Sequence, residues 1–192
     1  MKSFFITLFL LLAVTQGAIA QTVLAKANEL GGSSAPDQIA PRPNVIDSEA
    51  EIALKTASGV EEKLSALRGR VVVLNFWATY CGPCVKEVPD LVAIQKQYAA
   101  HGVQVVGASL DTLAERKEVR KFVTDMRINF PVWLGATNED MARFGLGQSV
   151  PSTIVIGRDG KIVTVFRGAI RQADLRRQLN ALVASRRRGK SS

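Results

Sequence analysis

The stretch VVVLNFWATYCGPCVKEVP, residues 71–89, joins a near-continuous apolar run to a Cys-x-x-Cys unit that holds both cysteines of the chain. The apolar run, Val71–Trp77, is typical of a strand that is buried on both faces of a sheet. A helix is predicted to begin at the Cys-x-x-Cys unit and to end near Ala100, before His101 and Gly102. The stretch therefore predicts a buried strand that leads directly into a helix, with the two cysteines at the junction.

The segments around this stretch predict an α/β fold. Upstream, the pattern indicates a short β-hairpin with strands Ile52–Thr56 and Val60–Lys63. Downstream, apolar runs alternate with helical spacings, and the expected elements are a strand in residues 103–111, a helix around 119–126, a strand in 130–135, a short helix capped by Asn138, a hairpin in 152–168 and a last helix through 175–182. Strands that alternate with helices are parallel through right-handed crossovers, whereas hairpin strands are antiparallel. We therefore expect a three-layer α/β/α sandwich whose mixed central sheet carries an added N-terminal β-hairpin.

Residues 1–20 are typical of a secretory signal peptide. Lys2 precedes an apolar run from Phe4 to Val14, and the small-x-small sequence from Ala18 to Ala20 suits cleavage after Ala20. A membrane-spanning helix needs about 20 apolar residues, and this run is shorter. We therefore expect a cleaved signal and a periplasmic or otherwise exported protein, with a retained N-terminal membrane anchor as the alternative.

Composition divides the rest of the chain into a leader, one domain and a basic tail. Residues 21–43 contain GGSSAPDQIAPRP and are interpreted as a flexible leader. Residues 44–185 suit a single domain with a sizeable core, and residues 186–192, RRRGKSS, form the basic tail. The formal net charge is +8, and we favour a solvated tail over its attraction to an anionic membrane or an acidic partner. No aromatic-basic motif accompanies the charge, so a nucleic-acid partner is not expected.

The spacing of the two cysteines indicates chemistry rather than structural stabilisation. A disulfide between positions i and i+3 closes a very small loop and gives little entropic stabilisation. At the start of a helix, by contrast, the sulfur of Cys81 faces unpaired backbone N–H groups and the positive end of the helix dipole, which stabilise a thiolate. Cys84 lies one turn further in, where it can resolve a mixed disulfide formed by Cys81.

A metal site is the main alternative use of a Cys-x-x-Cys unit. A structural zinc site requires four ligands, and the chain offers two cysteines and one histidine, His101. His101 lies at the far end of the predicted helix, about 25 Å from the cysteines at about 1.5 Å per residue. No metal-ligand set is therefore predicted, but delivery of copper through the two thiolates and the ligands of a partner stays open.

Two segments together resemble one family. LNFWATYCGPCVKEVP, residues 74–89, and SVPSTIVIGRDGKI, residues 149–162, are similar to the TlpA/ResA-like branch of exported thioredoxin-fold thiol–disulfide oxidoreductases, and the resemblance extends over residues 44–185. It implies a thioredoxin-like fold and an enzyme whose redox-active disulfide, Cys81–Cys84, works without a further cofactor. By this resemblance Cys81 attacks a substrate disulfide and Cys84 resolves the mixed disulfide.

The resemblance also assigns a proton acceptor. Cytoplasmic thioredoxins carry a buried aspartate at the position of Asn75, and an asparagine cannot take a proton. The TlpA/ResA-like branch instead carries a glutamate at the position of Glu87, three residues after Cys84 and therefore on the same helix face. A partly buried carboxyl group has a raised pKa, so Glu87 is expected to accept the proton of Cys84 during resolution.

The remaining site residues are expected to contact the substrate. Pro151 matches the cis-proline of the family, and the backbone of Val150 is expected to pair with an extended segment of the substrate. Tyr80, Gly82 and Pro83 would belong to the same docking surface. Tyr80 departs from the tryptophan that is usual before the first cysteine, so it is the position where partner choice is expected to differ.

We therefore predict a monomeric thiol–disulfide oxidoreductase that reduces specific protein disulfides, in cytochrome c maturation or copper-site assembly. Gly82–Pro83 is the dipeptide of the reducing thioredoxins, and an oxidising compartment requires a membrane thiol donor to re-reduce the pair. A general disulfide oxidase or isomerase and a thiolate copper chaperone are the alternatives. Peroxidase chemistry is disfavoured, because Ala78 and Leu74 replace the threonine and the proline of the peroxiredoxin pattern.

Overall fold

The structure of the protein is a computed structural model that describes residues 45–188, with side chains as far as Ala184. The predicted signal peptide, the predicted leader and the side chains of the basic tail lie outside the described residues. The domain limits at residues 44 and 185 stay predictions. None of the helices in the described part is long and apolar enough to cross a membrane.

Seven strands and four α-helices make up the described part of the chain. In chain order they are β1 Ala53–Thr56, β2 Glu61–Lys63, β3 Val71–Trp77, α1 Gly82–Tyr98, β4 Val103–Ser109, α2 Arg116–Asp125, β5 Val132–Leu134, α3 Asn138–Arg143, β6 Ser152–Ile156, β7 Ile162–Arg167 and α4 Gln172–Arg188. Short 3-10 helices lie between them at Leu64–Leu67, Ala99–His101 and Leu113–Glu115.

The seven strands form one mixed sheet in the order β2-β1-β5-β4-β3-β6-β7. β3, β4 and β5 are parallel neighbours, as their helical crossovers require. The two hairpins add antiparallel strands at the two ends of this parallel centre. The predicted mixed sheet with an added N-terminal hairpin is therefore confirmed.

β3 lies inside the sheet, and all of its residues are buried. On one face, Leu74 packs into a core that includes Met141 of α3. On the other face, Val73 packs into a core with Leu91 of α1 and Leu179 of α4. Each fully buried leucine contributes about 1.5–3 kcal/mol of hydrophobic stabilisation. Because successive side chains of a strand point to opposite faces, helices cover both faces of the sheet and the three-layer α/β/α sandwich is confirmed.

The strand register brings three loops to one end of the sheet. Trp77, the last residue of β3, lies opposite Ser109, the last residue of β4. Phe76 lies opposite Ser152, the first residue of β6, which directly follows Pro151. The loops that follow β3 and β4 and the loop that precedes β6 therefore meet at the amino end of α1.

One predicted helix cap is wrong. Thr137 caps α3, and Asn138 is the first helical residue. The hydroxyl of Thr137 accepts the backbone N–H of Asp140 at 3.1 Å, and the carboxylate of Asp140 accepts the backbone N–H of Thr137 at 2.9 Å. This reciprocal pair needs an acidic or amide residue three positions after the cap. Thr137 has one there and Asn138 does not, so the helix begins at Asn138, one residue earlier than predicted.

Candidate active site

Cys81 occupies the N-cap position of α1. Its backbone is extended, with φ −89° and ψ 101°, and its N–H donates to the carbonyl of Ala78 at 3.1 Å, which closes a turn between β3 and the helix. Its Sγ accepts the backbone N–H of Cys84 at 3.2 Å. Pro83 fits the first helical turn because its missing N–H would have no helical acceptor. The predicted placement of the pair at the junction of a buried strand and a helix is confirmed.

The two cysteines form a disulfide but differ in their access to solvent. Cys81 is 8% exposed and Cys84 is 2% exposed, so a partner reaches the sulfur of Cys81 more readily. After reduction, the N–H groups at the helix start and the helix dipole favour the thiolate of Cys81. The roles of Cys81 as the attacking cysteine and of Cys84 as the resolving cysteine stay predictions.

The peptide bond between Val150 and Pro151 is cis, which confirms the prediction. It lies beside the amino end of α1, because β6 begins at Ser152 and runs antiparallel to β3. The carbonyl oxygen of Val150 is 3.6 Å from Sγ of Cys81. A substrate segment that reaches Cys81 therefore also meets the backbone of Val150.

The surface around Cys81 is open. Tyr80 is 72% exposed, and Gly82 and Pro83 are exposed as well. A Cβ placed on Gly82 would meet no atom within 4 Å. Trp77, in contrast, is buried in the apolar cluster that contains both cysteines. The structure therefore offers the aromatic ring of Tyr80, and not that of Trp77, to a partner.

Glu87 is a buried carboxyl group on α1, with 5% of its surface exposed. One of its oxygens accepts a hydrogen bond from Nδ2 of Asn75 at 3.2 Å, and the other accepts one from the backbone N–H of Ile170 at 3.4 Å. Burial raises the pKa of Glu87 from its ordinary value of 4.5 to about 7, while the Ile170 N–H lowers this pKa and the charge of Asp90 raises it. A carboxyl group with this pKa changes its protonation state near neutral pH, as the predicted role requires.

Asn75 is the hydrogen-bond partner of Glu87, a contact that the sequence did not reveal. It lies in β3 opposite Thr153 of β6. Its Nδ2 donates to Oγ1 of Thr153 at 2.9 Å as well as to Glu87. The residue that replaces the aspartate of cytoplasmic thioredoxins therefore binds the proposed proton acceptor directly.

The connection between β7 and α4 closes the site around Glu87. Ile170 donates to Glu87 from this connection, and Nε2 of Gln172, the first residue of α4, donates to Oδ1 of Asp90 at 2.9 Å. The two bonds join residues that are 83 and 82 positions apart in the chain. No local sequence pattern marks partners at such a separation, and sequence reasoning missed both.

The histidine of the chain lies away from the cysteines. His101 ends the 3-10 turn that follows α1, and its ring packs edge-on against Tyr98 with 6.4 Å between ring centroids. Within residues 45–188, no three histidine, cysteine, aspartate or glutamate side chains are grouped as the ligands of a metal ion would be. The groups that bear on the chemistry of the cysteine pair are therefore the amino end of α1, the backbone of Val150 and the carboxyl group of Glu87.

These features define a class of protein. A Cys-x-x-Cys unit stands at the start of the helix that follows a central strand of a mixed sheet, a cis-proline lies beside it, and helices cover both faces. This combination is that of a thioredoxin-like thiol–disulfide oxidoreductase, an enzyme that exchanges electrons with the disulfides of proteins through its own cysteine pair.

The chain belongs to the AhpC/TSA family, whose model matches residues 45–165. It is 27% identical to the thiol-disulfide oxidoreductase ResA of Geobacillus thermodenitrificans over 92% of each chain. A similar solved structure is described as thiol:disulfide interchange protein DsbE from Chlorobium tepidum, with a TM-score of 0.65 and 30% identity over 73% of this chain and 98% of that one. Another is a secreted thiol-disulfide isomerase from Corynebacterium glutamicum, with a TM-score of 0.63 and 27% identity over 71% and 85% of the two chains. The resemblance to the ResA-like branch is confirmed.

Proposed function

We propose that this protein is an exported reductant of specific protein disulfides. The observation that carries the proposal is Glu87, which is buried, hydrogen-bonded to Asn75 and placed three residues after Cys84 on the same helix. A reductant must expel its substrate from the mixed disulfide, and a base beside Cys84 accelerates that step. The same helix stabilises the thiolate of Cys81 at its amino end.

The proposed cycle has two exchange steps. The thiolate of Cys81 attacks one sulfur of the substrate disulfide, and the other substrate sulfur leaves as a thiolate. Cys84 then gives its proton to Glu87 and attacks Sγ of Cys81, which releases the first substrate sulfur as a thiolate. The substrate gains two electrons, and the Cys81–Cys84 pair loses two electrons as its disulfide forms.

The substrate is proposed to bind as an extended segment along Val150 and Pro151. The carbonyl of Val150 lies 3.6 Å from Sγ of Cys81, so backbone pairing there would align a substrate cysteine with the nucleophile. Tyr80, together with Gly82 and Pro83, would contact the residues next to that cysteine. The open space around Gly82 supports access of a polypeptide rather than a deep small-molecule pocket.

The location and partners of the enzyme form part of the same proposal. The predicted signal peptide supports export, and the relative from Corynebacterium glutamicum is described as secreted. An oxidising compartment returns the pair to the disulfide, so a membrane thiol donor is proposed to re-reduce it. The proposed substrates are cysteine pairs in the haem-attachment site of a c-type cytochrome or in a copper protein, and the enzyme is proposed to act as a monomer.

Disulfide isomerisation is the second candidate function, favoured by the description of the same solved relative as an isomerase. An isomerase rearranges the disulfides of its substrate without net reduction. It therefore requires Cys81 to be reduced at rest, but it does not require a stoichiometric supply of electrons.

The reduction potential of the Cys81–Cys84 pair tests the proposal. For the full chain equilibrated with thiol buffers, we expect a potential near that of thioredoxin, about −270 mV. A potential near about −120 mV, which is that of a strong oxidant, contradicts a reductant. Recovery of active ribonuclease from its scrambled form, without net loss of disulfides, would favour the isomerase instead.

A further inference from the structure

Asp111 is a buried carboxylate that the proposed exchange steps do not use. It follows β4 by two residues and is 1% exposed. Its oxygens accept the backbone N–H of Thr79 at 2.9 Å, the hydroxyl of Thr79 at 2.6 Å and the hydroxyl of Ser109. Its own N–H donates to Oγ of Ser109 at 3.0 Å. Burying a carboxylate costs free energy unless hydrogen bonds compensate for the lost hydration. These hydrogen bonds therefore allow the fold to bury Asp111.

The bonds of Asp111 end on the turn that carries Cys81. Residues 78–81 form this turn, which the N–H of Cys81 closes by donating to the carbonyl of Ala78. Thr79 is the second residue of the turn, and both of its polar donors bind the carboxylate of Asp111. Next to this contact, the N–H of Leu110 donates to the carbonyl of Trp77 at 2.9 Å. The loop after β4 therefore holds the end of β3 and the turn after it by three hydrogen bonds, one to Trp77 and two to Thr79.

The contact between Thr79 and Asp111 matters more for the position of Cys81 when the disulfide is reduced. In the oxidised protein the bond to Cys84 fixes the sulfur of Cys81. In the dithiol form this covalent constraint is absent. The position of the Cys81 sulfur then depends on the turn of residues 78–81, which precedes α1. The bonds between Thr79 and Asp111 involve neither sulfur, so they hold the turn in both redox states.

We propose that Asp111 is a positioning residue for Cys81. It clamps the turn of residues 78–81 through Thr79 and so keeps Sγ of the reduced Cys81 at the amino end of α1, where the backbone N–H of Cys84 stabilises the thiolate. The inference rests on the proposed function, because it matters only where Cys81 reacts as a thiolate.

A positioning role of Asp111 and a direct effect of its charge predict opposite changes in the pKa of Cys81 when Asp111 is replaced. A carboxylate that acted through its charge would raise the pKa of the nearby thiol, and removing it would lower that pKa. Loss of the clamp instead moves Cys81 away from the helix N–H groups, so its pKa rises toward the ordinary value of about 8.5. The direction of the shift therefore separates the two roles.

Two matched pairs of variants test the clamp. Asp111→Ala removes all three acceptor contacts, whereas Asp111→Asn keeps the shape: its Oδ1 can accept the Thr79 N–H and its Nδ2 can donate to the Thr79 hydroxyl. Thr79→Val removes the hydroxyl and keeps the branched shape, whereas Thr79→Ser retains the hydroxyl. Thr79 is half-buried, so the second pair places little demand on the core.

The pKa of Cys81 is measured by iodoacetamide alkylation across pH, in the reduced full chain with Cys84→Ser, so that Cys81 alone reacts. We expect Asp111→Ala to raise this pKa by about one unit and Thr79→Val by a smaller amount, with Asp111→Asn and Thr79→Ser near wild type. The rate of attack on a peptide disulfide at pH 7 should fall in the same order.

Three results would refute the positioning role of Asp111. The first is an unchanged pKa of Cys81 in Asp111→Ala and Thr79→Val, and the second is a lowered pKa of Cys81 in both Asp111 variants. The third is a rise in the pKa of Cys81 that is equally large in Asp111→Asn and Asp111→Ala. If circular dichroism shows that Asp111→Ala does not fold, the Thr79 pair decides by the same criterion. The reduction potential of the Cys81–Cys84 pair in the wild-type chain is measured in a separate experiment. A potential near about −120 mV would refute the proposed function, while the alkylation result would still decide the role of Asp111.

Discussion

Glu87→Gln tests the site most directly, because it removes an ionisable group and keeps the shape of the side chain. Burial raises the pKa of Glu87 from 4.5 to about 7 in the folded protein. The difference between a pKa of 4.5 and one of about 7 corresponds to about 3 kcal/mol of stability. Between these pH values the folded protein binds more protons than the unfolded chain, so the free energy of unfolding of the wild type falls as pH rises from 4.5 to about 7.

Glu87→Gln is expected to abolish this pH-dependent loss of stability. The glutamine can still accept from Asn75, but its amide group faces the backbone N–H of Ile170, and this mismatch costs about 1–3 kcal/mol at every pH. Between pH 4.5 and pH 8 the variant should therefore lose about 3 kcal/mol less of its free energy of unfolding than the wild type. Urea denaturation of the oxidised proteins at the two pH values measures the difference. Glu118→Gln, at an exposed position of α2, is the matched control.

The same variant tests the proton-acceptor role. Resolution of a mixed disulfide by Cys84 should slow in Glu87→Gln and lose its dependence on an ionisation near pH 7. A stability difference between variant and wild type that is equal at both pH values would refute the buried-acid reasoning. Resolution at the wild-type rate would refute the role of Glu87 in catalysis.

Three further tests, which use five substitutions, have definite expected outcomes. Cys84→Ser should accumulate a mixed disulfide with a substrate protein on non-reducing gels and Cys81→Ser should not, because only the former keeps the nucleophile. Asn75→Asp replaces a donor with a second carboxylate facing Glu87, so its free energy of unfolding in urea should fall by more than about 2 kcal/mol at pH 8 and by less at pH 4.5, where protonation relieves the repulsion. Gly107→Ala places a Cβ 2.8 Å from Nε1 of Trp77 and should cost about 1–3 kcal/mol, whereas Gly147→Ala, with no atom within 4 Å of its Cβ, should cost much less.

The central strand and the helix after it could be predicted because their signals are local. Val71–Trp77 is apolar at almost every position, and a strand covered on both faces requires such a run. The proline in the first turn and the cysteine before it are also local signals, and they place the start of α1. The choice between Thr137 and Asn138 as a cap was harder, because both residue types are good caps and the acidic partner decides.

The surroundings of Glu87 show why the tertiary contacts of the site could not be predicted from the sequence. The helical spacing predicts that Glu87 shares a face with Cys84, but it does not predict burial, which depends on how α1 packs on the sheet. The bond from Asn75 requires the pairing of β3 with β6, and the bond from Ile170 requires the path of the chain after β7. The Thr79–Asp111 contact depends in the same way on the register of β3 and β4. Each of these is a tertiary contact between segments that no local pattern connects.

The N-terminal hairpin also bears on aggregation. β1 pairs with β5, so β5 is not an edge strand with unpaired backbone groups. The outermost strand at this end is β2, which has three residues, Glu61, Glu62 and Lys63. Short, charged edge strands are poor templates for the addition of another polypeptide. This edge therefore disfavours the addition of another extended polypeptide to the sheet as an extra strand.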